Sequence, residues 1–250
     1  MSAVDQTGEP ADLLLDVQGL KAFYGRAQIL FDLALQVRRG EVVALMGRNG
    51  AGKSTTMKAL MGLLDGAGGH AEGRIRFRGE DISGARAHRI ARMGMGYVPE
   101  DRRIFSDLTV MENLEVGRQP PRADAVHWTP EKLFRLFPNL GEMPQRPGGQ
   151  MSGGEQQMLT VSRTLMGNPY LVLLDEPSEG VAPVIVEQMA AMILQLKQAG
   201  MSILLSEQNL HFAALVSDRV YVLENGQLRY QNTMAALTAD EAARRAYLAV

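Results

Sequence analysis

The sequence predicts an α/β fold in which a parallel-sheet core is interrupted by an inserted helical segment. Three observations carry the prediction. An apolar run, Val42-Val43-Ala44-Leu45-Met46, leads into GRNGAGKST at residues 47–55 and then into MKALMGLL, a strand, a tight loop and a helix. A second continuous apolar run at residues 170–174 ends in two carboxylates, Asp175 and Glu176. Between the two, the pattern turns polar and helical, so the strand–helix alternation of a parallel sheet stops and later resumes.

Taken in order, residues 13–40 read as two or three strands, with alternation at Leu33, Leu35 and Val37 and a turn at Arg38-Arg39-Gly40. A strand over 41–46 and a helix over 54–64 follow. DGAGGHAEG is a Gly-rich connection, and another strand lies around residues 74–78. From about residue 83 to 169 the chain is mostly helical, broken by Pro120-Pro121 and by PNLGEMPQRPGGQ at 138–150, as in an inserted lobe with mobile joints. Residues 170–174 have the unbroken apolarity of a buried parallel strand. A helix over 183–199 puts Ile185, Met189, Ile193 and Leu196 on one face. Residues 201–205 form the next strand, and 219–230 a hairpin turning at Asn225-Gly226. The expected organisation is one domain over 1–250, with its core in 13–98 and 168–250 and a helical subdomain in 99–167.

Composition narrows the function classes. The chain has 250 residues and a formal net charge of −2, so no basic field argues for nucleic acid. It has no cysteine, which excludes disulfides and thiolate metal sites and suits a reducing cytosol. No apolar stretch approaches the roughly 18 residues that span a bilayer. MSAVDQTGEPADLLL has acidic residues where a signal peptide needs basic ones. A soluble chain is expected, reaching a membrane only through a partner.

The chemistry-bearing residues form three groups. In the loop Gly47, Arg48, Asn49, Gly50, Ala51, Gly52, Lys53, Ser54 and Thr55, the spacing fits Gly-x-x-x-x-Gly-Lys-Ser/Thr. Gly50 and Gly52 let backbone amides turn inward around phosphate oxygens, and the helix starting near Ser54 points its positive end at them. Lys53 supplies a charge for the β- and γ-phosphates, and the Ser54 hydroxyl completes a Mg²⁺ shell. Such a loop implies a nucleoside triphosphate. Asp175 and Glu176 close a buried strand at the sheet edge where ligands bind. Asp175 is placed to hold Mg²⁺ through water and Glu176 to deprotonate an attacking water. An acidic pair at a helix start is the other reading, and the phosphate loop favours metal and base. Third, Ser152-Gly153-Gly154-Glu155 opens another helix with bare amides, an anion site that one nucleotide does not need. A head-to-tail dimer explains it, the loop capping the γ-phosphate bound by the other subunit. A capping box from Ser152 and Glu155 is the competing account, and both can hold.

Together these elements resemble the ATP-binding-cassette (ABC) ATPases, in the family's order and over nearly the whole chain. SGGEQ is the specific motif, since other enzymes with this phosphate loop lack it. Within the family, VPEDRRIFSDLTVMENL, MSGGEQQML, SEQN and YVLENG look like the ATPases of branched-chain amino acid importers, whose relatives serve urea or short amides. The resemblance implies a P-loop NTPase (RecA-like) core with N-terminal antiparallel strands. It also implies ATP and Mg²⁺ as cofactors, and ATP hydrolysis that drives transmembrane permease subunits. A second, different ATPase subunit would pair head to tail, a solute-binding protein would act indirectly, and the site of action would be the cytoplasmic face of the inner membrane.

Position by position, Tyr24 matches the aromatic residue that stacks on adenine, with a packed core Tyr as the alternative. Glu100 stands where many members have Gln contacting Mg²⁺ and the membrane partner, and a carboxylate also serves a hard cation, with a solvated surface Glu as the alternative. Asp101 replaces a Gly usual in the subgroup, and Glu179 and Val181 replace Leu residues in the stretch that touches the partner subunit. Gln208 takes the place of the His that contacts the γ-phosphate, and its amide still donates without carrying charge. His211, three positions on, reads as an ordinary helix residue. A soluble small-molecule kinase would not explain SGGEQ. DNA-repair and translation cassettes have longer inserts or two cassettes.

Overall fold

The computed structural model describes residues 12–248, and most of the acidic N-terminal stretch lies outside them. Two sheets carry the fold. Two strands, not three, fill the first stretch: β1 (Leu13–Tyr24) and β2 (Ala27–Arg38) pair antiparallel, and the alternation buries Leu33, Leu35 and Val37. β4 (Gly69–Phe77) lies on the other side of β1, with the two-residue β5 (Glu80–Asp81) at the edge. β4 starts well before the expected residue 74, inside the Gly-rich stretch. The cause is a close backbone approach: a Cβ on Gly73 would lie 2.5 Å from the Gly19 carbonyl oxygen.

The second sheet has strand order β10-β9-β3-β8-β7-β6. Its members are β3 (Val42–Met46), β6 (Met95–Val98), β7 (Leu171–Asp175), β8 (Ser202–Glu207), β9 (Arg219–Glu224) and β10 (Gln227–Thr233), all parallel except β10. β3, β7 and β8 are buried along their whole length, as the continuous apolar runs require. β6 falls in the stretch expected to be helical. Its four residues, MGYV, are too few to show a period, and pairing with β7 makes them a strand.

After β3 comes α1 (Lys53–Leu60), shorter than expected because Gly62 turns left-handed (φ 63°) and ends it. α2 (Ala87–Met93) precedes β6. Residues 99–167 hold α3 (Val110–Gly117), α4 (Pro130–Leu136), α5 (Pro138–Gly141) and α6 (Gly153–Leu165). α7 (Pro183–Gln198) connects β7 to β8, burying Met189, Ile193 and Leu196 while Ile185 stays half-exposed. α8 (Leu210–Val216), α9 (Met234–Ala239) and α10 (Glu241–Tyr247) complete the described chain.

The pleat of the parallel sheet divides the core. Val43, Leu45, Leu171 and Leu173 pack with the antiparallel strands. Val42, Val172, Leu174, Ile203 and Leu205 pack with Val110, Leu114, Trp128, Leu133 and Leu159 from the helical stretch. The inserted helices therefore share their core with the sheet, which fixes their position relative to its C-terminal edge. No helix among the described residues is long and apolar enough to cross a membrane.

Candidate nucleotide-hydrolysis site

β3 delivers the phosphate loop and β7 delivers the carboxylates, and both strands end at the same edge of the sheet, one strand (β8) apart. The loop closes on Gly52, whose left-handed backbone (φ 106°) forms the N-cap of α1, so the helix begins at Lys53. Lys53 turns back into the loop. Its Nζ donates to the carbonyls of Gly47 (2.8 Å) and Arg48 (3.2 Å) and lies 2.9 Å from Oε1 of Glu176. Lys53 is 3% exposed and Glu176 7%, so this ion pair is shielded from water. An incoming phosphate would take over a cation already neutralised by the residue proposed as the base.

Asp175 is buried and fully engaged. Oδ1 accepts from Ser54 Oγ (3.1 Å) and Ser206 Oγ (2.6 Å), and Oδ2 accepts from Tyr97 OH (3.0 Å). Ser54 and Asp175, each read from the sequence as a Mg²⁺ ligand, therefore lie side by side, an oxygen-only pair of the kind a hard cation takes. Among the described residues no cluster of three or more His or carboxylate side chains could hold a metal by itself. Ser54, Asp175 and Glu100 line a common cleft of about 490 Å³, with Lys58, Tyr97 and Arg103. Glu100 is exposed at its mouth.

Tyr97, Ser206 and Glu207 are the site residues that the sequence reading missed. Tyr97 lies on β6, in the stretch read as helix. Burial, then the neighbouring Asp175 charge, pushes its phenol up, so it stays a neutral donor. Ser206 faces Asp175 across the β7–β8 register. Its Oγ and its carbonyl both accept from the Glu176 amide, at 3.0 and 3.2 Å. Those bonds hold Glu176 in the left-handed region (φ 45°), which a non-glycine residue occupies at a cost of about 1–3 kcal/mol. A polar residue at the end of the apolar run SILLS was the available signal. Glu207 is buried at the end of β8, and its carboxylate accepts from Ser178 Oγ and from the amides of Gln208 and Asn209, both at 2.9 Å. Burial pushes this carboxyl up against those bonds.

The Glu176 and Glu179 carboxyls shift one another in opposite directions. Burial raises the Glu176 carboxyl, but the bonds from Glu179 and Lys53 outweigh it and hold it below the ordinary glutamate range. The same hydrogen bond with Glu176 pushes Glu179 up to about 7, helped by burial and by the charges of Glu100 and Glu207. Gln208 is exposed, its Nε2 donating to Glu179 Oε2 at 3.4 Å. Tyr24 ends β1, half-buried against the first core cluster. His211 is an exposed residue of α8, as expected.

Ser152 is the N-cap of α6. Its Oγ accepts from the Glu155 amide (3.4 Å), and Glu155 Oε2 accepts from the Ser152 amide (2.7 Å), so the capping box is real. Ser152 is exposed, and among the described residues no hydrogen bond or ion pair joins residues 152–155 to the phosphate loop, Asp175 or Glu176. The predicted phosphate loop with Lys53 and Ser54, and Glu100, Asp175 and Glu176, therefore gather around one edge. The SGGEQ turn stands apart from them.

Residues 30–179 match the ABC transporter family model. The chain is 43% identical to the high-affinity branched-chain amino acid transport ATP-binding protein BraG of Pseudomonas aeruginosa, over 94% of this chain and 99% of that one. It is 32% identical to the lipopolysaccharide export system ATP-binding protein LptB of Haemophilus influenzae, over 94% and 97%. Among solved structures it resembles the ADP conformation of MJ1267, an ATP-binding cassette of an ABC transporter, with TM-score 0.75, 26% identity and coverage of 92% and 96%. A nucleotide-free ATP-binding cassette matches with TM-score 0.76, 26% identity and coverage of 92% and 97%.

Proposed function

We propose a function that starts from one premise: this chain belongs to the ABC transporter family and is an ATP-hydrolysing subunit coupled to transport. Its cargo is a branched-chain amino acid or a related small polar solute, taken up through permease subunits at the cytoplasmic face of the cell membrane. Likeness to BraG supports that cargo over the one named for LptB.

One observation carries the hydrolytic reading, the shielded constellation of Lys53, Ser54, Asp175 and Glu176. Residues 47–55 hold the phosphates of ATP, and Tyr24 stacks on the adenine. Ser54 and Asp175, with Glu100 at the cleft mouth, hold Mg²⁺, which supplies charge neutralisation for the phosphoryl oxygens. Lys53 exchanges Glu176 for phosphate oxygen, which frees the Glu176 carboxylate to accept a proton from water. Gln208 donates its amide to the γ-phosphate. The turn from Ser152 to Glu155 caps the γ-phosphate of a second ATPase subunit, a different chain, in a head-to-tail pair.

Permease coupling is assigned to a groove of about 500 Å³ between α2, β6, α3 and α6. Phe105 and Val116 line it while largely exposed, and the Arg163 guanidinium lies 4.9 Å from the Phe105 ring centre. It adjoins Tyr97, which bonds Asp175, so docking there is one contact from the hydrolytic site. The test is ATPase activity of the assembled transporter in vesicles, with its solute-binding protein loaded with leucine, urea or a short amide. Leucine should stimulate hydrolysis most. Stimulation by urea alone would move the cargo to the related class, and hydrolysis indifferent to every loaded binding protein would overturn the importer reading.

A further inference from the structure

Arg102 follows β6 with a left-handed backbone (φ 55°), an uncommon state for a residue with a side chain. Its carbonyl accepts from Thr160 Oγ1 of α6 at 2.8 Å, which anchors the strained residue to the helix that the SGGEQ turn begins. The guanidinium lies against that turn. Nη1 is 2.5 Å from where a Cβ on Gly153 would sit, so Gly153 leaves the space that Arg102 fills. Nη2 donates to the Gly180 carbonyl at 3.4 Å, on the segment that follows Glu176. The neighbouring Arg103 is neutralised by Asp101 at 2.9 Å, whereas among the described residues no carboxylate lies within ion-pair distance of Arg102. The side chain is half-buried, so its charge is only partly solvated.

The turn itself is short of positive charge. Its capping box already occupies the Ser152 and Glu155 amides and brings in the Glu155 carboxylate, which opposes an anion. The free amides of Gly153 and Gly154 are neutral donors, and a charge-assisted bond is roughly twice as strong as a neutral one. A guanidinium has five donors, and only one is committed to Gly180.

We propose that Arg102 is a phosphate-binding residue of the composite site, its guanidinium joining the SGGEQ turn in contacting the γ-phosphate of ATP bound to the partner subunit. This rests on the head-to-tail reading of the turn. Arg102 then reports two things at once, the phosphate in trans and the position of Gly180 in cis.

The test compares Arg102→Gln, which removes the charge and stops short of the Gly180 carbonyl, with Arg102→Lys, which keeps the charge. Each is made in the full chain and measured in the assembled transporter. Arg102→Gln should lower kcat about tenfold or more, the scale of a lost charge-assisted contact, while ATP binding to the isolated chain stays within about twofold. Arg102→Lys should recover most of the loss. Wild-type kcat in Arg102→Gln, or equal impairment in both variants, would overturn the proposal, because packing and the Gly180 bond would then be the whole role. Ser152→Asp separates the two readings, since Asp still caps α6 but adds a carboxylate against a phosphate in trans. If Ser152→Asp pairs normally with its partner in ATP, the head-to-tail reading fails and Arg102 with it. If it fails to pair while Arg102→Gln turns over normally, the proposal for Arg102 alone is wrong.

Discussion

Lys53, Asp175 and Glu176 are buried, Lys53 paired with Glu176 and Asp175 held by Ser54, Ser206 and Tyr97, whereas Glu100, Ser152 and Gln208 are exposed. The first set stands at the end of β7 and at the start of α1, just after the loop that leaves β3, and parallel pairing with β8 aligns the ends of those two strands. The second set stands on connections and a helix cap, where position depends on what docks. One half of the candidate site is thus built by folding, and in the proposed head-to-tail pair the other half would be completed by a phosphate and a second subunit. In that proposal the division has a purpose, because a site complete in one chain would turn over ATP without moving anything.

The largest break in the buried half should come from Lys53→Ala. It removes the phosphate counter-charge and leaves Glu176 buried without its cation, a loss on the scale of about 3 kcal/mol when one partner of a buried pair goes. ATP turnover by the assembled transporter should vanish and the melting temperature of the chain should fall. Unchanged turnover would remove the phosphate loop from the chemistry.

How much of each half could be read from sequence follows the same line. The phosphate loop, LLDEP and the strands beneath them were legible because local spacing and unbroken apolarity suffice to place them. Tyr97 was not, because β6 is a strand only through its pairing with β7. Ser206 and Glu207 needed the register that sets Ser206 beside Asp175, and Glu179 needed the turn that folds it back to Glu176. Ser152 was legible as a cap from four consecutive residues, Ser152 to Glu155.

On the exposed half, Gln208→Ala should slow hydrolysis several-fold and leave ATP binding intact, since a neutral amide contributes about 0.5–1.5 kcal/mol. Steady-state ATPase of the reconstituted complex checks it, and wild-type rates would make Gln208 a bystander. Gln208→His should stay active, with a steeper pH dependence between about 6 and 8, where imidazole titrates.

The smallest effect sharpens the boundary between the halves. Because Glu176 holds the Glu179 proton up to about 7 in the folded chain, against 4.5 for a free glutamate, the folded state binds more protons between those values. Stability therefore falls as pH rises from about 4.5 to 7 and stays lower above it. Glu179→Gln removes the titration, so its melting temperature should gain on wild type from pH 5 to pH 8. A constant difference across that range would show that Glu176 does not hold the Glu179 carboxyl up.

The division between the halves is tested most directly by equilibrium ATP binding to the isolated full-length chain, comparing Lys53→Ala with Ser152→Asp. Lys53→Ala should lose ATP affinity by well over tenfold, while Ser152→Asp should bind within about twofold of wild type and fail only in ATP-driven pairing with its partner. Gly154→Asp is the less clean probe, because its Cβ would lie 2.8 Å from Ile185 side-chain carbons. Strong loss of ATP binding in the isolated Ser152→Asp chain would contradict the account, because it would put the SGGEQ turn beside its own nucleotide.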